Sequence, residues 1–209
     1  MDAEFYDVLD VLEPTDMWEV ERLRVYLKEP ENKTAILRVY SPANNRHLQD
    51  MIRKFEALPG ITDRNTNFLK VIVSFVKEGR FHVLYEEARQ EEDFPLDLST
   101  EQVMSFCEAL NTLHKFKISH GNISSRSFYR DINNKLLLGS FQMPPQPSFT
   151  KPAPITLLDE IECFLSLLKS PESYNAEDIS SQLTLKKPYK PILFRSRNPA
   201  YIRKEDLNV

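Results

Sequence analysis

Residues 99–143 constrain this chain more than any other stretch, because they specify a helix, a loop and a hairpin in fixed order. Ser99 followed three residues later by Gln102 is a capping-box spacing, in which each side chain satisfies the other residue's backbone amide at a helix start. Val103, Phe106, Cys107, Leu110, Leu113 and His114 recur at three- and four-residue steps, which predicts a helix with one stripe facing a core. His120 to Ser127 form a polar loop, followed by a short apolar strand. Asn133-Asn134 tolerates left-handed backbone and predicts a turn into a second apolar run, Lys135 to Leu138.

This order resembles the catalytic core of a eukaryotic protein kinase. His120-Gly121-Asn122 stands where that family has H-R-D, and Leu138-Gly139-Ser140-Phe141-Gln142 matches its L-G-D-F-G. In an active kinase the first aspartate accepts the substrate's hydroxyl proton, a later loop asparagine holds magnesium, and the D-F-G aspartate holds the nucleotide's magnesium. At these positions the chain has Asn122, Ser127 and Ser140. An amide is no base, and neutral hydroxyls are poor ligands for a hard divalent cation. The resemblance therefore implies a divergent, truncated pseudokinase.

Upstream, alternating apolar residues predict strands over 5–12 and 20–28. Their tip, residues 13–19, has no glycine and carries three carboxylates and Trp18, which suits neither close backbone approach to phosphate nor an anion. A strand over 34–40 places Arg38 at the family's phosphate-contacting lysine. The next helix is expected to start at Ser41-Pro42 and to stop at Pro59-Gly60, with Leu48, Met51, Ile52, Phe55 and Leu58 on its apolar stripe. Met51 falls where the family has the partner glutamate of that lysine, so the family's ion pair is expected to be missing, and Arg38 and Asp50 read as ordinary surface charges. Residues 67–77 and 80–88 predict a hairpin joined at Glu78-Gly79. The resemblance places Ile36, Tyr85 and Tyr129 around the purine site, where their bulk would fill the pocket from within. It also places Phe55, His120 and Phe141 in an apolar column between two lobes, which makes His120 a packed core residue rather than a base.

Five prolines between Met143 and Pro154 make a stiff connector where the family has a longer activation segment. Residues 155–169 predict a helix similar to a long helix of the kinase large lobe, with Asp159 at its aspartate and Leu165, Leu167 and Leu168 packing inward. The tail from Lys186 is basic with interleaved aromatics; it reads first as a solvated or domain-wrapping segment and second as a peptide docked on a partner, for which Lys190, Ile192, Phe194, Arg195 and Arg197 are candidate partner-binding residues. Lys190 to Phe194 resembles a phosphatase docking motif of permissive form, whereas a nucleic-acid contact is disfavoured by the overall charge of −4.

The expected fold is α+β, kinase-like and two-lobed. A small lobe over residues 1–88 carries a five-stranded antiparallel sheet plus one helix, a truncated, mainly helical large lobe covers 89–172, and a basic tail covers 173–209. Cys107 and Cys163, two thiols without a C-x-x-C, read as reduced core residues. With no signal peptide and no long apolar run, a cytoplasmic or nuclear location is expected. The implied function is that of an adaptor or allosteric regulator of a protein partner such as a kinase or other signalling enzyme. It implies no cofactor, metal, ATP or membrane, and exposed apolar surface on the truncated lobe would mark the interface. Two other readings stand beside it: a degenerate nucleotide-binding kinase using Arg38 and an acid such as Asp131, and a non-kinase α/β interaction module.

Overall fold

The structure, a computed structural model, describes residues 6–14, 19–28, 32–144 and 154–185. Strands β1 (Tyr6–Leu12), β2 (Glu19–Leu27), β3 (Lys33–Tyr40), β4 (Val71–Lys77) and β5 (Arg80–Glu86) form one antiparallel sheet in the order β1-β2-β3-β5-β4. Glu78 and Gly79 both have positive φ, 52° and 72°, the backbone of a two-residue turn matched to strand twist. The central strand β3 is buried on both faces. Ile36, Arg38 and Tyr40 point toward the helices, while Ala35, Leu37 and Val39 pack with Val25, Leu27, Phe75 and Leu84 on the opposite face.

Helices α1 (Asn45–Glu56) and α2 (Leu58–Arg64) carry the chain from β3 to β4. The expected start at Ser41-Pro42 is displaced: Asn44 caps α1, its side-chain oxygen accepting the His47 N–H at 3.0 Å. Asparagine is among the strongest N-caps, which decides the competition. Nor do Pro59 and Gly60 stop a helix. They lie in the first turn of α2, where a missing proline N–H costs nothing. Thr62 fastens α2 to β4, donating to the Leu58 carbonyl at 2.9 Å and accepting the Val71 N–H at 2.9 Å.

Beyond the sheet lie α3 (Thr100–Lys115), a small sheet of β6 (Arg89–Gln90), β7 (Phe128–Arg130) and β8 (Leu136–Leu138), and helices α4 (Leu157–Leu165) and α5 (Ala176–Leu185). The predicted capping box of α3 is made in both directions, Gln102 N–H to Ser99 Oγ at 3.3 Å and Ser99 N–H to Gln102 Oε1 at 2.9 Å. Its stripe Val103, Phe106, Cys107, Leu110 and Leu113 is buried. The helix expected over 155–169 ends at Leu165. Leu96 then donates to the Leu167 carbonyl and accepts the Lys169 N–H, both at 2.8 Å, so Leu167 and Leu168 pair with an extended segment instead of continuing the helix. Residues 173–185, assigned to the tail, include α5, which buries Ile179 and Leu183 and receives an Asn111 side-chain bond on the Leu183 carbonyl at 3.2 Å. Cys163, expected in the core, is exposed on α4.

The chain is thus α+β with a five-stranded antiparallel sheet. The sheet joins the helical half directly: Leu69 N–H bonds the Leu138 carbonyl at 2.9 Å and Leu138 N–H the Asn67 carbonyl at 2.7 Å. One hydrophobic cluster runs from Ile36, Met51 and Phe55 through Tyr129 and Phe141 to Leu110. Among the described residues no helix is long and apolar enough to cross a membrane.

Candidate functional site

Arg38 is the centre of the junction. Rather than lying on the surface as expected, its side chain is almost wholly buried. The guanidinium donates to the Tyr129 hydroxyl at 2.8 Å and to Ser140 Oγ at 3.2 Å, and its carbon lies 5.1 Å from the centre of the Tyr85 ring. Tyr129 and Ser140 also share a hydrogen bond. The compensating carboxylate is Glu19, whose Oε1 lies 3.7 Å from Arg38 Nε and which is itself buried. Arginine suits this place because its planar fork reaches several acceptors while remaining charged. Asp50, the acid next to Met51, is elsewhere, 3.7 Å from Arg53.

Glu19 reaches Arg38 through a strand irregularity. Arg22 stands opposite Arg38 and Arg24 opposite Ile36, so even-numbered β2 residues share the helix-side face. Simple alternation would put Glu19 on the other face. The register shifts between Glu19 and Glu21, which sets Glu19 opposite Tyr40 and turns its carboxylate inward. Ile36, Tyr85 and Tyr129 are all buried in the main core. The Tyr129 hydroxyl gives this apolar wall a polar end.

The other positions singled out by the resemblance are engaged by backbone groups, by the Arg38 cluster or by the apolar core. Ser127 is buried and its hydroxyl donates to the Asn122 carbonyl. Ser140 adopts left-handed backbone, φ 56°, and its hydroxyl belongs to the Arg38 cluster. Asn122 Nδ2 stands 3.5 Å from the Ser140 carbonyl. Met51 is buried in the core, apart from the polar cluster. Asp131, on the β7–β8 turn, caps that turn by accepting the Asn133 and Lys135 amides, each at 2.8 Å. The tail candidates Lys190, Ile192, Phe194, Arg195 and Arg197 lie outside the described residues.

Two further groups fix this region, and both escaped sequence reasoning. Asp159, placed by the resemblance at the aspartate of the kinase helix, is exposed and closes a capping box with Thr156. Its neighbour Glu160 is buried, accepting the Gly121 N–H at 2.6 Å and bonding His114 Nε2 at 2.8 Å. On α1, His47 bonds the Pro144 carbonyl at 2.7 Å, and Lys54 donates to the Gln142 carbonyl at 2.6 Å. Burial lowers the Lys54 ammonium to about 8, with Glu160 opposing the shift. The i, i+4, i+7, i+8 pattern of His47, Met51, Lys54 and Phe55 marks one helix face, but nothing local shows which carbonyls it meets.

His120 is fully buried against Phe141, with ring centres 4.9 Å apart. Its Nε2 donates to the Gly139 carbonyl at 2.8 Å and its Nδ1 accepts the Asn122 N–H at 3.3 Å, an arrangement that selects the neutral ring. Burial lowers its pKa to about 4. The unfolded chain therefore binds more protons than the folded one between about 4 and 6.5, and stability present above that window is lost as pH falls through it. Urea unfolding should show a loss of roughly 3 kcal/mol between pH 7 and pH 4 from this group. His82, also lowered by burial, acts in the same sense, whereas Asp63 and Asp159, held low by Lys70 and Thr156, titrate below the window. The slope should flatten in His120→Gln; an unchanged slope would mean that His120 is not the titrating group.

Among the described residues, no three His, Cys, Asp or Glu side chains gather where they could hold a metal ion. Cys107 is buried and its thiol pushed up to about 12, an unreactive setting. What the junction offers chemically is a buried network of hydrogen bonds and packing in which the Arg38 guanidinium is already engaged. No protein-family model matches the chain, and no curated protein is significantly similar to it in sequence.

Proposed function

We propose that this chain is a catalytically inactive, protein-kinase-like protein of two lobes that acts by binding a partner protein as an adaptor or allosteric regulator. One observation carries the reading: Arg38, Glu19, Tyr129 and Ser140 form a buried cluster beside Ile36 and Tyr85, where the resemblance would put a nucleotide. A guanidinium committed to two hydroxyls and a carboxylate is poorly placed to receive a triphosphate, because each contact would have to be broken first. The antiparallel strand order, with two helices between β3 and β4, agrees with kinase ancestry. The partner is reached through the surface, and its class is a protein such as a signalling enzyme. Among the described residues, the large exposed apolar side chains are Val8, Leu9 and Val11 on β1, Val20 and Tyr26 on β2, and Phe116, Ile132 and Ile155 in the helical half.

A thermal-shift titration with ATP and magnesium tests the occupied junction. No rise in Tm is expected up to millimolar nucleotide. A ligand at a hundred times its Kd would stabilise the fold by about 2.7 kcal/mol, equivalent to a rise of several degrees for a chain of this size. Such a rise would favour the degenerate nucleotide-binding reading.

A further inference from the structure

Strand β1 ends the five-stranded sheet, and among the described residues nothing pairs with its outer edge. It is also unusually apolar for an edge: Val8, Leu9 and Val11 are 52%, 48% and 80% exposed, and Val20 and Tyr26 on β2 are exposed as well. Natural edges are ordinarily protected by lysines, prolines or a covering segment. Asp7 and Asp10 flank the apolar residues, and the cations nearest them, Lys28 and Arg24, come from β2. The edge that β1 turns outward is therefore apolar, and its two acids, though paired with Lys28 at 2.9 Å and Arg24 at 3.8 Å, stay 60% and 59% exposed.

We propose that the C-terminal segment of this same chain, centred on residues 190–197, docks along the outer edge of β1. Three observations select this occupant. The first is charge: residues 186–209 carry seven of the chain's 27 Lys and Arg but only two of its 31 Asp and Glu, leaving 20 cations against 29 acids in the remainder. The second is pattern, since Ile192-Leu193-Phe194 lies between Lys190 and Arg195 much as the apolar residues of β1 lie among aspartates. Pro188 and Pro191 lack an N–H, so pairing begins after Pro191, where proline at a strand start is tolerated. The third is reach. Leu185 ends α5, and 24 residues follow it. They span up to about 80 Å when extended, against a radius of gyration of about 16 Å for a globule of the preceding length. A second copy is a poorer occupant, because β1 against β1 would bring aspartates together. The docked tail completes the sheet, and a partner that engages Ile192 and Phe194 would uncover the edge. This inference does not depend on the kinase resemblance.

Hydrogen–deuterium exchange on the full-length chain tests it. In Ile192→Asp/Phe194→Asp, amides of residues 6–12 should exchange about tenfold faster than in the parent, an effect of ~1.4 kcal/mol, while the β4–β5 hairpin is unchanged. Val11→Lys, at an already exposed position, should accelerate the same amides by opposing the basic tail. The protection should survive roughly hundredfold dilution, as expected for an intramolecular contact. Equal exchange in the parent and the double variant overturns the proposal. Protection that vanishes on dilution, together with a dimer in sedimentation, also overturns it by placing the tail on another copy.

Discussion

Replacing Arg38 with methionine should cost the fold about 3–5 kcal/mol, the usual loss when one member of a buried ion pair is removed. Methionine fills much of the volume but leaves the buried Glu19 carboxylate without the guanidinium, and it takes a donor from both Tyr129 and Ser140. Arg38→Lys should recover only part of the loss, since a single ammonium cannot serve two hydroxyls and a carboxylate in the fork geometry. Glu19→Leu combined with Arg38→Met should be more stable than Arg38→Met alone, because removing both charges abolishes the desolvation cost. Urea unfolding of the three variants measures this. A loss under about 1 kcal/mol in Arg38→Met, typical of a surface pair, would contradict the buried cluster.

Phe141→Ala should also cost about 3–5 kcal/mol, through lost apolar burial and the cavity left behind. The ring is buried against Phe68 and His120, with centres 5.7 Å and 4.9 Å away, and so holds the sheet-side and helix-side parts of the core together. Phe141→Leu should cost less than about 1.5 kcal/mol, since it stays apolar and nearer in volume. A second readout separates this from generic core damage. Opening the packing beside His120 returns water to the ring, so its pKa should rise from about 4 toward its ordinary value. The acid-side loss of stability, which still begins near the unfolded value of about 6.5, should then end at higher pH and be smaller in Phe141→Ala than in Leu110→Ala, a buried change elsewhere in the core. If the two profiles coincide, Phe141 is not what keeps His120 dry.

Both effects concern contacts between segments far apart in sequence, which explains why they were unevenly legible. The Ser99–Gln102 box, the Glu78-Gly79 turn and the apolar stripe of α3 each depend on residues within a few positions of one another, and each formed where the pattern placed it. Errors arose where two local signals competed. The helix expected from Ser41-Pro42 is capped instead by Asn44, and of the neighbouring acids Asp159 and Glu160 the second is buried. For the second pair, the capping box took Asp159 and left Glu160 for the loop amide of Gly121, a choice made by the helix entry at Thr156.

By itself, then, the sequence determined most of the strands, helix α3, their order, and the absence of a carboxylate at Asn122, Ser127 and Ser140, because periodicity, capping and residue chemistry are local properties. Only the tertiary structure decided that Arg38 is buried, that Glu19 is its counter-charge, and that Tyr129 and Ser140 close the network from 91 and 102 residues away. The physical reason is a single irregularity: the register shift between Glu19 and Glu21 reverses which face a side chain occupies, and no residue pattern within β2 announces it.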